Sequence, residues 1–471
     1  MKAHNLISLL LPLTGLLLVV STASAQKIRE DPGYTQTILV ANKEEYHPQI
    51  VDEHMHDAWG IALRPPGAGG HIWIANAATG TSSEFIGDVN GEPLHQDGLK
   101  IVTLDQPKWT DHGYAFVTGQ AYNSASDLPG QPVEFPVSGP AENLKVSPAE
   151  PIKDFSGSAK FVFVTEDGCI NAWSANTANS MKSAPVMINY SKTSKYPYHA
   201  NCVFTGVALT NNPADSEAFK KAGGNHLFAC DMRNDAIVVL DNQWKDVTSS
   251  FHFEKPASVG YLHPFNIANI NSHLFVAYGE FDPNSDEAQE QIAGAGAGHL
   301  VEYTEDGKLV KDFYAGHGVL NLPWGMAIAP ATFGRYADCL LAANFGDGTI
   351  VAFNLKSGDF EGYIRDADSK IISIDGIWGL AFGNGHSLGD ANSLYFTAGP
   401  NMELDGIFGR IDVNVPHHSR FTTREAAPAV APIPLLSRVP ASALAPASPA
   451  PAAQAPAASV PAAPALAPGA P

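Results

Sequence analysis

The amino-acid sequence predicts an all-β fold, a six-bladed β-propeller, on three observations. One pattern recurs along the chain: an aromatic-Gly pair, a short apolar strand, a second strand, a tight Gly/Asp turn and a third strand. It is plainest in the copies led by Trp324-Gly325 and Trp378-Gly379. Six copies, centred on positions 60, 113, 206, 266, 325 and 379, stand 53, 93, 60, 59 and 54 residues apart, near the period of propeller blades. Helix is nearly absent, because the apolar runs are short, Gly and Pro number 42 and 35, and no run holds a 3.6-residue period over three turns.

Taken in order, residues 1–25 carry Lys2, an apolar run from Leu6 to Val20 and the small-residue exit Ala23-Ser24-Ala25. That is the pattern of a secretory signal peptide, with cleavage expected before Gln26, and the apolar run is shorter than a membrane span needs. Residues 26–424 form the propeller. Thr35-Gln36-Thr37-Ile38-Leu39-Val40 is the segment expected to complete the last blade.

Blade 1 reads as Trp59-Gly60-Ile61-Ala62-Leu63 with His71-Ile72-Trp73-Ile74-Ala75-Asn76. Blade 2 reads as His112-Gly113-Tyr114-Ala115-Phe116-Val117, its second strand displaced to Lys160-Phe161-Val162-Phe163-Val164. The long step there contains a Pro/Gly/Ser-rich insertion at about residues 121–158. Blade 3 follows at Thr205-Gly206, blade 4 at Phe265-Asn266, and blades 5 and 6 at the two plain copies. Residues 425–471 collapse to Ala and Pro, a composition that cannot bury a core and is expected to form an extended, disordered tail.

The net charge of −20 argues against nucleic acid, which needs a basic footprint, and fits solubility outside the cell. The expected location is therefore extracellular, or periplasmic in a Gram-negative bacterium, with no membrane span after signal cleavage and a monomeric chain. Four cysteines in a secreted chain can pair. Cys202 with Cys230 or with Cys169 is the expected bridge, and Cys339 a lone buried thiol. No metal-type cysteine spacing is present.

In an antiparallel blade the start of the first strand and the end of the second lie on one face, and ligands of propellers bind in such mouths. Two residue sets fall on this start face. Trp59, His112, Thr205, Phe265, Trp324 and Trp378 lead the blades and would make an aromatic mouth for flat apolar ligands or sugar rings; each Trp could equally pack as a wedge between blades. Asn76, Glu166 with Asp167, Asp231, Glu280, Asn344 and Asn401 end the second strands. As a ring they could hold Ca2+ or another divalent cation; singly they could cap turns.

His112 with Asp111 is the pair best suited to acid–base work. His54, His56, Asp57 and His199 could supply metal ligands or simply be solvated loop residues. None of the usual hydrolase, metalloprotease or phosphate-loop motifs is present. The acidic stretch from Glu280 to Gln291, leading into Gly294-Ala295-Gly296-Ala297-Gly298, reads as a lid or a mobile loop.

Phe265-Asn266-Ile267-Ala268, Leu322-Pro323-Trp324-Gly325, Asn344-Phe345-Gly346-Asp347-Gly348, Ile374-Asp375-Gly376-Ile377-Trp378-Gly379 and Phe396-Thr397-Ala398-Gly399-Pro400 resemble an uncharacterised family of secreted β-propeller proteins. Some bacterial members of that family carry a PEP-CTERM (exosortase) sorting tail. Two departures stand out: His112 sits where the family tends to have a small polar residue, and the Ala/Pro stretch replaces the sorting tail. At fold level the chain is similar to NHL and SMP-30 propellers, but the blade-leading residues are not the Asn, Asp or Glu of calcium-dependent lactonases. The resemblance implies the fold and brings no activity with it.

The leading expectation is a secreted, non-catalytic propeller that binds a small molecule, glycan or protein on the start face. The alternatives are a metal-assisted propeller hydrolase or lyase with His112 as base, and a structural component of the cell envelope or extracellular matrix.

Overall fold

The computed structural model describes residues 33–106, 113–127, 131–143, 154–176, 179–191, 201–283, 291–313 and 318–414. The signal segment, the Ala/Pro tail, Asp111, His112 and His199 lie outside them. Six sheets, antiparallel but for a short parallel pair at the edge of two of them, follow one another along the chain as the blades of a β-propeller.

The innermost strands are Ala58–Ala62, Val117–Tyr122, Phe204–Leu209, His263–Ile270, Pro323–Ile328 and Ile377–Phe382. Each is the terminal strand of its sheet, so one edge pairs with the second strand and the other faces the axis. The ring closes as expected at the N-terminal segment. Tyr34–Ala41 pairs antiparallel with Ile407–Val413, Tyr34 opposite Val413 and Ala41 opposite Ile407, which supplies the outer strand of blade 6. The buried Asp405 carboxylate fastens this strap, accepting from Asn42 Nδ2 at 2.9 Å, Tyr46 Oη at 2.8 Å and Lys43 Nζ at 2.7 Å.

One element differs from expectation. The inner strand of blade 2 begins at Val117, not at His112, so Thr118-Gly119 leads it, as Thr205-Gly206 leads blade 3. With that correction the leading positions are 60, 119, 206, 266, 325 and 379, and only the step across the insertion is long. The insertion forms two small outworks: Pro136–Gly139 pairs with Phe155–Ser158, and Ala141–Asn143 with Asn179–Met181. In blade 3 the third strand, Ala236–Asp241, has no regular fourth partner; its edge is covered by residues 245–248, with Val247 N donating to Val239 O at 2.9 Å and Val239 N to Thr248 Oγ1 at 2.9 Å.

Why glycine follows the blade-leading residue is a matter of room. A Cβ at Gly60 would stand 2.8 Å from Thr118 O, at Gly119 3.0 Å from Val207 N, and at Gly379 2.7 Å from Trp59 O. None of these glycines has positive φ; close approach of neighbouring backbones is what demands them. Side chains then stitch blade to blade: Gln120 Nε2 to Gly60 O at 2.9 Å, Thr118 Oγ1 to Phe204 O at 2.8 Å, Asn269 Nδ2 to Leu209 O at 2.9 Å, Asn266 Nδ2 to Trp324 O at 2.7 Å, and Thr397 Oγ1 to Trp59 O. Apolar residues fill the wedges between blades, as where Trp73 stacks on Phe161 with centroids 3.9 Å apart.

The expected cysteine bridge is not formed. Cys169, Cys202, Cys230 and Cys339 are all buried, and no disulfide joins any of them. Cys202 packs into the core shared by blades 1 to 3, whereas Cys230 faces the core between blades 3 and 4. The two thiols thus lie on opposite sides of their blade, so the bridge expected between them is not formed, nor is one from Cys202 to Cys169. Burial pushes the thiols of Cys169, Cys202 and Cys230 up.

Candidate functional site

The structure brings the blade-leading aromatics together, as a plug rather than an open mouth. Trp59 and Trp378 stack with centroids 3.6 Å apart, Phe345 stacks on Trp378 at 3.9 Å, and Trp324 and Phe265 meet Trp378 edge-on at 6.0 and 5.9 Å. All are buried; Trp59, Phe265 and Trp378 are 0% exposed and Trp324 5%. The reason is radial geometry: residues at the starts of six inner strands share one small circle, and rings projecting toward the axis fill it. Loop residues after the second strands, Ala77, Met232 and Phe345, close the rest.

The indole N–H groups are satisfied inside the plug. Asp57 accepts both Trp59 Nε1 at 2.6 Å and Trp378 Nε1 at 3.1 Å, and Trp324 Nε1 donates across the axis to Thr205 O at 2.8 Å. Asp57, 1% exposed, is held in the left-handed region at φ 48. It is therefore a ligand of the tryptophans, and the histidines beside it are turned elsewhere: His54 Nδ1 stands 3.2 Å from Asp52 Oδ1 and His56 Nδ1 2.7 Å from Leu404 O.

Several of the residues that end the second strands act as latches on the loops that lead into the inner strands. Asn344 Oδ1 accepts from Asn321 N at 3.1 Å, Asp231 Oδ1 from Val203 N at 3.1 Å, and Asp167 Oδ2 from Phe116 N at 2.8 Å. Asn76 donates to Thr81 Oγ1 and Ser83 Oγ, Asn401 Nδ2 to Asp405 Oδ2, and Glu280 accepts from Tyr261 Oη at 3.1 Å. Glu166 is buried. Among the described residues no three His, Cys, Asp or Glu side chains come together as a metal-binding group.

A concavity lies on the opposite side of the ring. A cavity of 370 Å³ runs along the axis from Trp324 to the ends of the inner strands, where it opens between Leu63, Tyr122, Ser124, Asn211 and Asn269. Its walls are inner-strand backbone with Ile61, Ala121, Val207, Ile267 and Leu380, and no Asp, Glu, His, Lys, Arg or Cys lines it.

At the mouth two polar groups flank it. Between blades 1 and 2, Asp127 accepts from Arg64 Nη2, from Tyr122 Oη and from Lys160 Nζ at 2.6 Å, while Arg64 Nε donates to Tyr122 Oη at 3.2 Å. Burial, and after it the Arg64 guanidinium, lower the Lys160 ammonium to about 8. Between blades 3 and 4, Glu305 accepts from Asn269 Nδ2 at 2.8 Å and Asn212 Nδ2 at 2.9 Å. The sequence reading did not single out any of these residues. They come from loops far apart in the chain and carry no spacing signal; only Thr118-Gly119, matching Thr205-Gly206, was there to be found.

One buried acid has an unmet need. Glu84, 0% exposed in the third strand of blade 1, has no hydrogen-bond partner for either carboxyl oxygen, and His71 Nδ1 stands 3.3 Å from Oε2. Burial, and after it Asp97, raise its pKa well above the ordinary value. A carboxyl raised in the folded state costs nothing below its unfolded pKa and weakens the fold as pH rises above it, where the unfolded chain ionises first. Glu84→Gln is therefore expected to match the wild type in acid and exceed it by roughly 1–3 kcal/mol near neutrality. Denaturant unfolding from pH 4 to 8 checks this; a constant difference across that range would sink it.

No family model matches the chain. Three proteins of Acanthamoeba polyphaga mimivirus are similar to it. Uncharacterized protein R648 is 27% identical over 378 residues, 79% of this chain and 78% of that protein. Uncharacterized protein L690 is 30% identical over 212 residues, covering 44% and 51%, and R640 is 27% identical over 252, covering 53% and 42%; this chain thus spans about half or less of those two. Among solved structures, a streptogramin B lyase aligns over 81% of this chain and 97% of its own at 10% identity and TM-score 0.39. A glucose dehydrogenase aligns over 81% and 100% at 12% and 0.42, and the soluble aldose sugar dehydrogenase of Escherichia coli over 81% and 100% at 10% and 0.40.

Proposed function

We propose that the chain is a secreted, non-catalytic propeller that binds a small polar ligand in its axial channel, entering from the face opposite the tryptophan plug. The carrying observation is the channel itself: 370 Å³, with Trp324 of the plug in its lining, and lined without a carboxylate, imidazole, amine, guanidinium or thiol; its hydroxyl-bearing residues are Ser124 and Tyr122, the latter's hydroxyl taken up by Arg64 and Asp127. That volume lies within the roughly 300–1,000 Å³ of small-molecule sites. The inner-strand edges turned to the axis offer backbone donors and acceptors, which suits a ligand rich in hydroxyl groups. The start face supports binding less well, because its aromatics are packed on one another. The cation-assisted reading draws less support still, since Asp231 and Asn344 are engaged with backbone.

Thermal-shift titration with a panel of hexoses and hexuronates at millimolar concentration tests the proposal, in the wild type and in Asn211→Trp, which places a bulky ring at an exposed position of the mouth. At least one sugar is expected to raise the melting temperature of the wild type alone and to be recovered unchanged. Equal shifts in both proteins would overturn the channel as the site, and conversion of the sugar would overturn the non-catalytic reading. Secretion is tested on the chain from its native host, whose N-terminal residue is expected to be Gln26; retention of Met1 in the mature protein would oppose it.

A further inference from the structure

We propose that the channel mouth selects a small organic anion of the hexuronate type, its hydroxylated body in the channel and its carboxylate on Arg64 and Lys160. This rests on the channel being the binding site. The argument starts from charge. In a chain of net charge −20, two cations converge on one carboxylate at the rim: Arg64 Nη2 and Lys160 Nζ both donate to Asp127. One positive charge is left over beside a cavity that carries none.

The donors are not exhausted. Arg64 has five N–H groups and spends three, on Tyr122 Oη, Gly69 O and Asp127; Lys160 has three and spends one on Asp127. The side chains of Arg64 and Lys160 are 23% and 24% exposed, sunk enough to strengthen an ionic hydrogen bond and open enough to make one. Tyr122 ties the pair to the cavity, since the residue is part of the channel lining while its hydroxyl is held by Arg64 and Asp127. The opposite rim carries the Glu305 carboxylate, which repels an anion turned the wrong way and so fixes one orientation.

A neutral sugar would use the channel alone, whereas a hexuronate would use channel and rim together. Calorimetric titration of D-glucuronate and D-glucose into the wild type, Lys160→Met and Asn211→Trp separates the two. The wild type is expected to bind glucuronate about tenfold or more tighter than glucose, one charge-assisted contact's worth of discrimination. Lys160→Met is expected to lower glucuronate to the level of glucose and leave glucose unchanged, and Asn211→Trp to abolish both. Equal affinities in the wild type, both lost in Asn211→Trp, would overturn the anion selectivity while the channel stands. Glucuronate binding that survives Asn211→Trp but not Lys160→Met would place the anion outside the channel and overturn both. Binding of neither sugar to the folded wild type overturns the hexuronate assignment.

Discussion

Trp378→Ala is expected to destabilise the propeller by about 3–5 kcal/mol, the cost of truncating a fully buried large aromatic. Trp378 is the hub of the plug. It touches Trp59, Trp324, Phe265 and Phe345, residues drawn from blades 1, 4 and 5, and so joins blade 6 to all three. Removing the indole leaves a void that those rigid rings cannot close, because each is fixed by its own strand. It also strips Asp57 Oδ1 of the indole N–H at 3.1 Å, and a buried carboxylate that loses a donor adds a penalty of its own. Trp378→Phe keeps a ring in the stack with Phe345 and is expected to recover most of the void term but not the hydrogen bond. Urea unfolding of the three proteins measures this. A loss below about 1 kcal/mol for Trp378→Ala would mean that the plug is not a packed core.

The blades were legible because each repeats the same demands on its residues. Gly60, Gly206, Gly325 and Gly379 mark places where two backbones meet, and that requirement writes itself into the sequence at regular intervals. The closing strand was legible for a similar reason: Thr35–Val40 reads as a strand that precedes the first copy of the repeat, and a ring needs one to complete its last blade. In blade 2 two signals compete. His112-Gly113 has the aromatic-Gly form, whereas Thr118-Gly119 has the contacts, and contacts with Val207 and Phe204 are not visible in one dimension.

The plug and the channel were harder still. The sequence places Trp59, Trp324 and Trp378 at equivalent positions of their blades, but whether such rings point outward to a ligand or inward to each other depends on the radius of the circle they share. The far rim is the extreme case: Arg64, Asp127 and Lys160 belong to three separate loops, brought together only because blade 2 carries its insertion on that side. The cysteine bridge failed on the same dimension, since Cys202 and Cys230 are close along the hairpin yet face opposite sides of it.

Gly325→Val is expected to cost roughly 3 kcal/mol or more, above the usual range for overpacking because the obstruction is main chain. A Cβ at position 325 would press into Trp378 O, stand 2.8 Å from Leu380 N and 3.0 Å from Gly379 C. All three are backbone of the neighbouring inner strand, so no rotamer change relieves the clash; blade 6 must move away from blade 5. That movement opens the ring where Trp324 and Trp378 meet, and it pulls on the strap that Tyr34–Ala41 forms with Ile407–Val413. Gly325 has no positive φ, so valine meets no backbone penalty there and the whole effect reports on the close approach. Gly67→Val serves as the control, at a position where nothing stands within 4 Å but φ is +81: it carries the cost of strain without the clash, on the order of 1–3 kcal/mol. If Gly325→Val proved no more destabilising than Gly67→Val, contact between the inner strands of blades 5 and 6 would not be what fixes glycine at the head of the blade.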